Sequence, residues 1–219
     1  FGGMQEFYHD FSDFHVEITM PEEFIVWATG EFKNPEQILL QPYLDRYKNA
    51  KTSKEVVHII EPNNLHSTIT KSGKKNTWIY HAENVPDFAF ATSNQYVWDA
   101  VSYKTNTNPS KNVLISAAYD PQSSDFHQVA DISLASVKYF SEEMPGIPFP
   151  YPSITIFNGS GGMEFPMMVN DGSMVNIAST VQVTSHEIAH TYFPFMTGTN
   201  ERKYAWMDEG WAVFLPANL

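Results

Sequence analysis

Residues 14–19 alternate strictly: Phe14, Val16 and Ile18 fall on one side and His15, Glu17 and Thr19 on the other, the pattern of a half-buried β-strand. Short β-branched or aromatic runs follow at Ile25 to Thr29, Val56 to Ile60, Ser67 to Thr70 and Thr77 to Ala82. The last two flank a polar connection containing Gly73, which predicts a hairpin. Between these runs Glu36 to Ala50 is mixed, and Pro42 rules out one uninterrupted helix, so a short helix and a loop are expected there. The first hundred residues read as mostly β.

After about residue 105 the pattern changes. A strand at Val113 to Ala117 precedes His127 to Met144, where Val129, Ile132, Ala135, Phe140 and Met144 recur at helical intervals and predict an amphipathic helix packed on a sheet. Pro145, Pro148, Pro150 and Pro152 end it, Ser153 to Phe157 predicts the next strand, and Asn158 to Gly162 is a glycine-rich turn. A second helix is expected from Ser179 or Thr180 to Pro194, and a third from Trp206 to at least Leu215. The expected fold class is α+β, with an N-terminal β domain over residues 1–104 and an α+β domain over 105–219.

Composition narrows the function. With 42% apolar and 15% aromatic residues among 219, the chain can fill a core. Its 13 basic against 25 acidic residues leave a formal charge of −12, and the Lys and Arg are scattered singly, which excludes nucleic acid as a partner. There is no cysteine, so a bound zinc must be held by imidazole and carboxylate. No apolar run approaches the roughly 18 residues of a membrane span, and no transmembrane segment is expected. The sequence opens on Phe1 and stops at Leu219 just after an apolar run, which suggests a piece of something longer.

Within the second helical stretch lies Ser185-His186-Glu187-Ile188-Ala189-His190-Thr191, the HExxH pattern. Four helical residues advance about 6 Å and about 400°, so His186 and His190 project from one face toward a shared ion. Glu187, one step round, can reach a water beside that ion without being a ligand. A catalytic zinc needs a third protein ligand and one open position. Glu209, eighteen residues past His190 in Trp206-Met207-Asp208-Glu209-Gly210-Trp211, is the candidate, on a return helix that doubles back to the histidines. Asp208 is read in two ways, as a carboxylate orienting a ligand histidine or as an ordinary acid at a helix start. His9, His15, His58, His66, His81 and His127 show no ligand spacing and are expected to be surface or hydrogen-bonded residues.

A second segment, Gly159-Ser160-Gly161-Gly162-Met163-Glu164-Phe165-Pro166, follows the strand ending at Phe157. Taken alone it is a glycine turn entering an apolar edge strand. Beside a zinc site it acquires a use: glycines let a peptide align along the backbone, and Glu164 supplies an anion for a free α-ammonium.

Together these pieces resemble the zinc aminopeptidases related to aminopeptidase N and to the leukotriene-hydrolysing epoxide hydrolase, within the gluzincin metallopeptidases. HEIAH, the eighteen-residue gap and WMDEGWA resemble the family's zinc signature, and GGMEF resembles its exopeptidase motif. The run Glu6 to Pro35, with ATGE, resembles the later part of the family's β domain. The resemblance implies a saddle-like β domain followed by an incomplete thermolysin-like catalytic domain. It implies one Zn2+ per chain on His186, His190 and Glu209, with Glu187 as general base. Glu164 would anchor the N-terminus of a peptide substrate, and Gly161, Gly162 and Met163 would line that peptide by their backbone. Relatives with a large β domain are often exported.

Two departures stand out. The residue after the anchoring Glu is usually Asn in the family and is Phe165 here, so side-chain hydrogen bonds from that position are lost. The oxyanion-stabilising tyrosine of relatives falls well beyond the zinc Glu, hence past Leu219, and neither Tyr192 nor Tyr204 takes its place. The rival readings are a thermolysin-like endopeptidase on the same ligands, a zinc-containing peptide-binding fragment without turnover, and an epoxide hydrolase, for which no lipid-shaped tunnel is announced.

Overall fold

The computed structural model describes residues 8–219, so Phe1, and Glu6 and Phe7 at the head of the β-domain run, lie outside the described residues. The alternating segment is β1 (Ser12–Pro21), followed by β2 (Ile25–Ala28), β3 (Glu31–Phe32), α1 (Pro35–Ile38), α2 (Gln41–Ala50) and β4 (Val57–Ile60). Pro42 sits in the first turn of α2, where a missing N–H costs nothing, so it starts a helix as well as ending one. Next come β5 (Lys75–Val85), β6 (Phe90–Ser93), β7 (Val97–Lys104) and β8 (Asn112–Tyr119). The remainder is α3 (Val129–Glu142), β9 (Ser153–Asn158), β10 (Glu164–Phe165), β11 (Met168–Asp171), α4 (Ile177–Ala189) and α5 (Glu209–Phe214). The fold is mixed α+β, with several sheets.

The largest sheet has the order β10-β11-β9-β8-β7-β4. β8 and β9 run parallel, and α3 is the crossover that such a pair requires. Val113, Ile115 and Ala117 of β8 face a core shared with Val137 and Phe140 of α3 and Ile188 of α4. Leu114 and Ala118 face a second core with Trp27, Trp98 and Tyr47. Both faces are covered, which is why β7 and β8 are buried almost end to end and lack alternation. The expected border at 104/105 falls between β7 and β8, which pair from Val97↔Tyr119 to Lys104↔Asn112.

The expected hairpin of residues 67–70 with 77–82 does not form. β5 pairs antiparallel with β1 and with β3, while Thr70 makes a single bridge to Leu39. The turn signal at Gly73 is real, but long-range partners for β5, with Ile18 facing Trp78, bury more apolar surface than a local hairpin would. Among the described residues no helix is long and apolar enough to cross a membrane.

Candidate metal centre

Helix α4 begins earlier than expected, because the Asn176 side chain accepts from the Ser179 backbone N–H at 2.9 Å and caps it. The helix ends at Ala189 with His190 as its helical C-cap. The chain then turns through 191–196, where Phe193 is extended (φ −136°, ψ 106°), as a residue before proline prefers. This turn sends the chain back across the face of α4. A 3₁₀ turn at Ala205–Met207 leads to Asp208, and Glu209 opens α5.

His186 and His190 lie on one helix face, with their Nε2 atoms 3.3 Å apart. Oε2 of Glu209 is 3.2 Å from His186 Nε2 and 4.0 Å from His190 Nε2. Donors bonded at about 2.0–2.1 Å to a tetrahedral zinc are separated by about 3.3 Å, which two of the three distances match, while Glu209 would have to close on His190 to complete the set. His190 is fully buried, His186 is mostly buried, and the Glu209 side chain is 48% exposed, which leaves the cluster open on one side.

Asp208 settles which nitrogen of His190 is available. Its Oδ1 accepts from His190 Nδ1 at 2.5 Å with both side chains fully buried, leaving Nε2 as the nitrogen that faces His186 and Glu209. The alternative reading of Asp208 as an ordinary helix-start acid is thereby corrected: it occupies the N-cap of α5 but makes no side-chain cap hydrogen bond. Burial opposes charge on His190, but the Asp208 hydrogen bond and the Glu164 and Glu187 carboxylates override it and lift this imidazole to about 9, so a cation binding at Nε2 would displace a proton from it. His186 is held below its ordinary value by burial and by neighbouring His190.

Glu187 lies on the buried side of α4, its Oε2 without a hydrogen-bond partner. Burial, and then the adjacent Glu164 carboxylate, push it up to about 8. Glu164 is buried on the edge strand β10, and its Oε1 is 3.9 Å from His190 Nδ1, the nitrogen already committed to Asp208. Its carboxylate, a ring nitrogen of His190 and the Glu209 carboxylate all lie within 4.8 Å of one another. The glycine segment closes the gap: a Cβ on Gly162 would lie 2.7 Å from Glu187 Oε1, and one on Gly159 would lie 1.5 Å from Asn170 Oδ1. Met163 pairs with Asn170 by two backbone hydrogen bonds, so it continues the edge strand β10 by one residue, with Gly162 against Glu187 just before it. Phe165 packs on the opposite face with the aromatic core.

His186, His190, Glu209, Glu187, Glu164 and Gly162 thus lie close together, while among the described residues no contact with the cluster is seen for Gly161 or Met163. One neighbour carried no signal in the chain: Asp171, 1% exposed, whose Oδ2 accepts from Thr184 Oγ1 at 2.8 Å one turn before Glu187. Of the six remaining histidines, His58 bonds to buried Asp99 at 2.6 Å and His127 to the Pro121 carbonyl at 3.1 Å.

No protein-family model matches the chain, and no curated protein matches it by sequence. Its fold is similar to that of an M1 zinc metallopeptidase from Deinococcus radiodurans, with a TM-score of 0.59 and 13% identity over 95% of this chain. A mutant form of that enzyme and its complex with a Tyr-Ser-Ala substrate each match with a TM-score of 0.60 at 13% identity. This chain spans 40–41% of the length of those structures, so what is shared is the fold of part of such a peptidase.

Proposed function

We propose that the protein is a zinc-dependent aminopeptidase or the part of one that carries its zinc site, hydrolysing the N-terminal bond of peptides. The observation that supports this most is the convergence of His186, His190 and Glu209 donor atoms at 3.2–4.0 Å. The donor set of two imidazoles and a carboxylate suits zinc and leaves a fourth position open. When bound, zinc supplies Lewis acidity toward a carbonyl oxygen and a water.

The chain's own residues do the rest. Glu187, raised to about 8 by burial and Glu164, would accept the water proton in its carboxylate form, which a cation held by the neighbouring ligands would favour, and return it to the leaving amine. Asp208 holds His190 in the tautomer a cation needs. Gly161 and Gly162, just before Met163 whose own backbone pairs with Asn170, would offer N–H and C=O groups beside the edge strand β10, along which a peptide aligns. Glu164 receives the free α-ammonium and so sets which bond reaches Glu187.

The test compares free Tyr-Ser-Ala with its N-acetylated form, after elemental analysis for one zinc per chain. Release of tyrosine from the free peptide alone is expected, and Glu164→Ala should narrow the difference between the two. Equal cleavage of both peptides would reject the aminopeptidase in favour of an endopeptidase. Zinc and peptide binding without any cleavage would leave a binding fragment.

A further inference from the structure

The sheet face opposite α4 bears a cavity of about 210 Å³ that takes no part in the site above. Strand alternation turns Leu114 and Ser116 of β8, and Ser153 and Thr155 of β9, toward it, with Ser116 beside Thr155 in the parallel register. Its walls are aromatic: Trp27 meets Trp98 edge to face at 5.9 Å, and Phe32 stacks on Tyr80 at 5.4 Å. An apolar cavity of about 150 Å³ is enough for benzene, and drug-sized ligands want about 300 Å³ or more. This one therefore suits a single aromatic ring with a few further atoms.

The two ends differ in chemistry. At the mouth lie Glu31 and Lys51, with side chains 41% and 42% exposed and Nζ 3.3 Å from Oε1. Lys33 stands 2.9 Å from the other oxygen of Glu31. At the floor, Ser116 and Thr155 are 3% and 8% exposed. Neither hydroxyl hydrogen-bonds to any other described residue, and among the described residues the Nε1 atoms of Trp27 and Trp98 in the cavity wall are buried without partners as well, as are Ser102 Oγ and Tyr151 OH elsewhere. A buried hydroxyl without a partner is costly, so the floor holds hydrogen-bonding capacity that only something in the cavity can use.

We propose that this cavity binds a free aromatic α-amino acid. The adjacent anion and cation at the mouth match a zwitterion, the ammonium going to Glu31 and the carboxylate to Lys51. A simple carboxylic acid would leave Glu31 facing like charge. The ring lies among Trp27, Trp98 and Phe32, and a phenolic hydroxyl, as in tyrosine, reaches Ser116 and Thr155. This site is separate from the metal centre and does not depend on peptidase activity.

The experiment is calorimetric titration of the zinc-free Glu164→Ala protein with L-tyrosine and L-phenylalanine, which takes the metal and the amine anchor out of play. One saturable site is expected, tighter for tyrosine. Lys51→Ala, a surface change that leaves the core intact, should weaken both ligands. Ser116→Ala with Thr155→Val should cost tyrosine about tenfold, one hydrogen bond's worth, and leave phenylalanine unchanged. Tyramine, which lacks the carboxylate, and 3-(4-hydroxyphenyl)propionate, which lacks the ammonium, should each bind more weakly than tyrosine. Absence of saturable binding, binding indifferent to Lys51→Ala, or a crystal structure with one of the protein's own side chains in the cavity would each overturn the proposal.

Discussion

The two faces of the central sheet both carry apolar cores, but the face under α4 also buries a cluster of ionisable groups. Under α4 an apolar core with Ile115, Phe140 and Ile188 is joined by a group of buried polar residues: Asp125, Asp171, Thr180, Thr184, Glu187 and, at the helix end, His190. Several are incompletely satisfied, with Asp171 Oδ1, Glu187 Oε2 and Asp208 Oδ2 all lacking partners, and burial pushes Asp171 up to about 7. Across the sheet, Trp27, Trp78, Trp98, Phe32 and Tyr47 are 0–7% exposed and stack on one another. Polar burial of the first kind costs free energy and aromatic burial of the second offsets it. The metal centre thus adds costly polar burial to one of two apolar faces, while the other buries aromatic rings without it, and changes to each face should fail in different ways.

The largest effect expected separates chemistry from folding. Glu187→Gln keeps the shape of the side chain and touches none of the three ligand atoms, so zinc content and thermal midpoint should stay at wild-type levels. Turnover should fall by about 10²–10⁴-fold, the range for removing a general base. A loss of zinc in parallel with activity would instead make Glu187 part of the metal cage. On the opposite face the reverse is expected. Trp78→Ala removes a fully buried ring stacked 4.8 Å from Phe32, and should cost about 3–5 kcal/mol in urea unfolding while the folded fraction still binds one zinc. If it stripped the metal without lowering stability, the division between the faces would be wrong.

A smaller effect tests how the polar face is held together. Asp125 accepts from the Ser173 hydroxyl, from the Met174 backbone N–H at 2.9 Å and from Thr180 Oγ1 at 3.0 Å, tying the approach of α4 to the turn before α3. Burial acts to raise its pKa, but these donors outweigh it and hold the carboxyl below its ordinary 3.8. A depressed acid stabilises the fold fully above its unfolded value, and that contribution drains away as pH falls through the lower folded value. Asp125→Asn should therefore cost about 1.5–3 kcal/mol at pH 7, the worth of hydrogen bonds to a charged group, and the wild-type advantage should shrink below about pH 4. An advantage that stayed constant from pH 7 to pH 3 would show that the carboxylate charge is not what holds the loop.

Sequence pattern reached these two faces unequally, for physical reasons. His186 and His190 were legible because helical periodicity alone brings them together, and Glu209 because a short return is all that separates it from them. β7 went unseen because a strand buried on both faces does not alternate, and Asp99 and Ser102 break up its apolar run. The partner of β5 lies some sixty residues earlier in β1, so the turn at Gly73 pointed to a hairpin that the long-range register overrides. Asp171 left no trace because its place beneath Thr184 depends on how β11 pairs with β9, a parallel contact across a whole segment. Asp208 was ambiguous in principle, since an acid that starts a helix and an acid that orients a histidine are the same letter in the chain.

That ambiguity yields the mildest and most local of the expected effects. Asp208→Ala leaves all three candidate ligands in place and removes only the partner of His190 Nδ1 at 2.5 Å. Without it, His190 can place its proton on either nitrogen and the ring is free to rotate, so zinc affinity should fall by about 10–100-fold, the usual loss when a ligand histidine loses its orienting carboxylate. Competition with a chelator of known affinity measures this directly, and activity should return when zinc is added in excess. Asp208→Asn sharpens the point, because an amide oxygen can still accept from Nδ1 and should restore much of the affinity. If the alanine and asparagine variants lost zinc equally, Asp208 would be acting through its charge rather than by fixing the tautomer. If neither lost any, the hydrogen bond would be a packing contact, and the orientation of His190 would have to come from the turn at 191–196 that follows it.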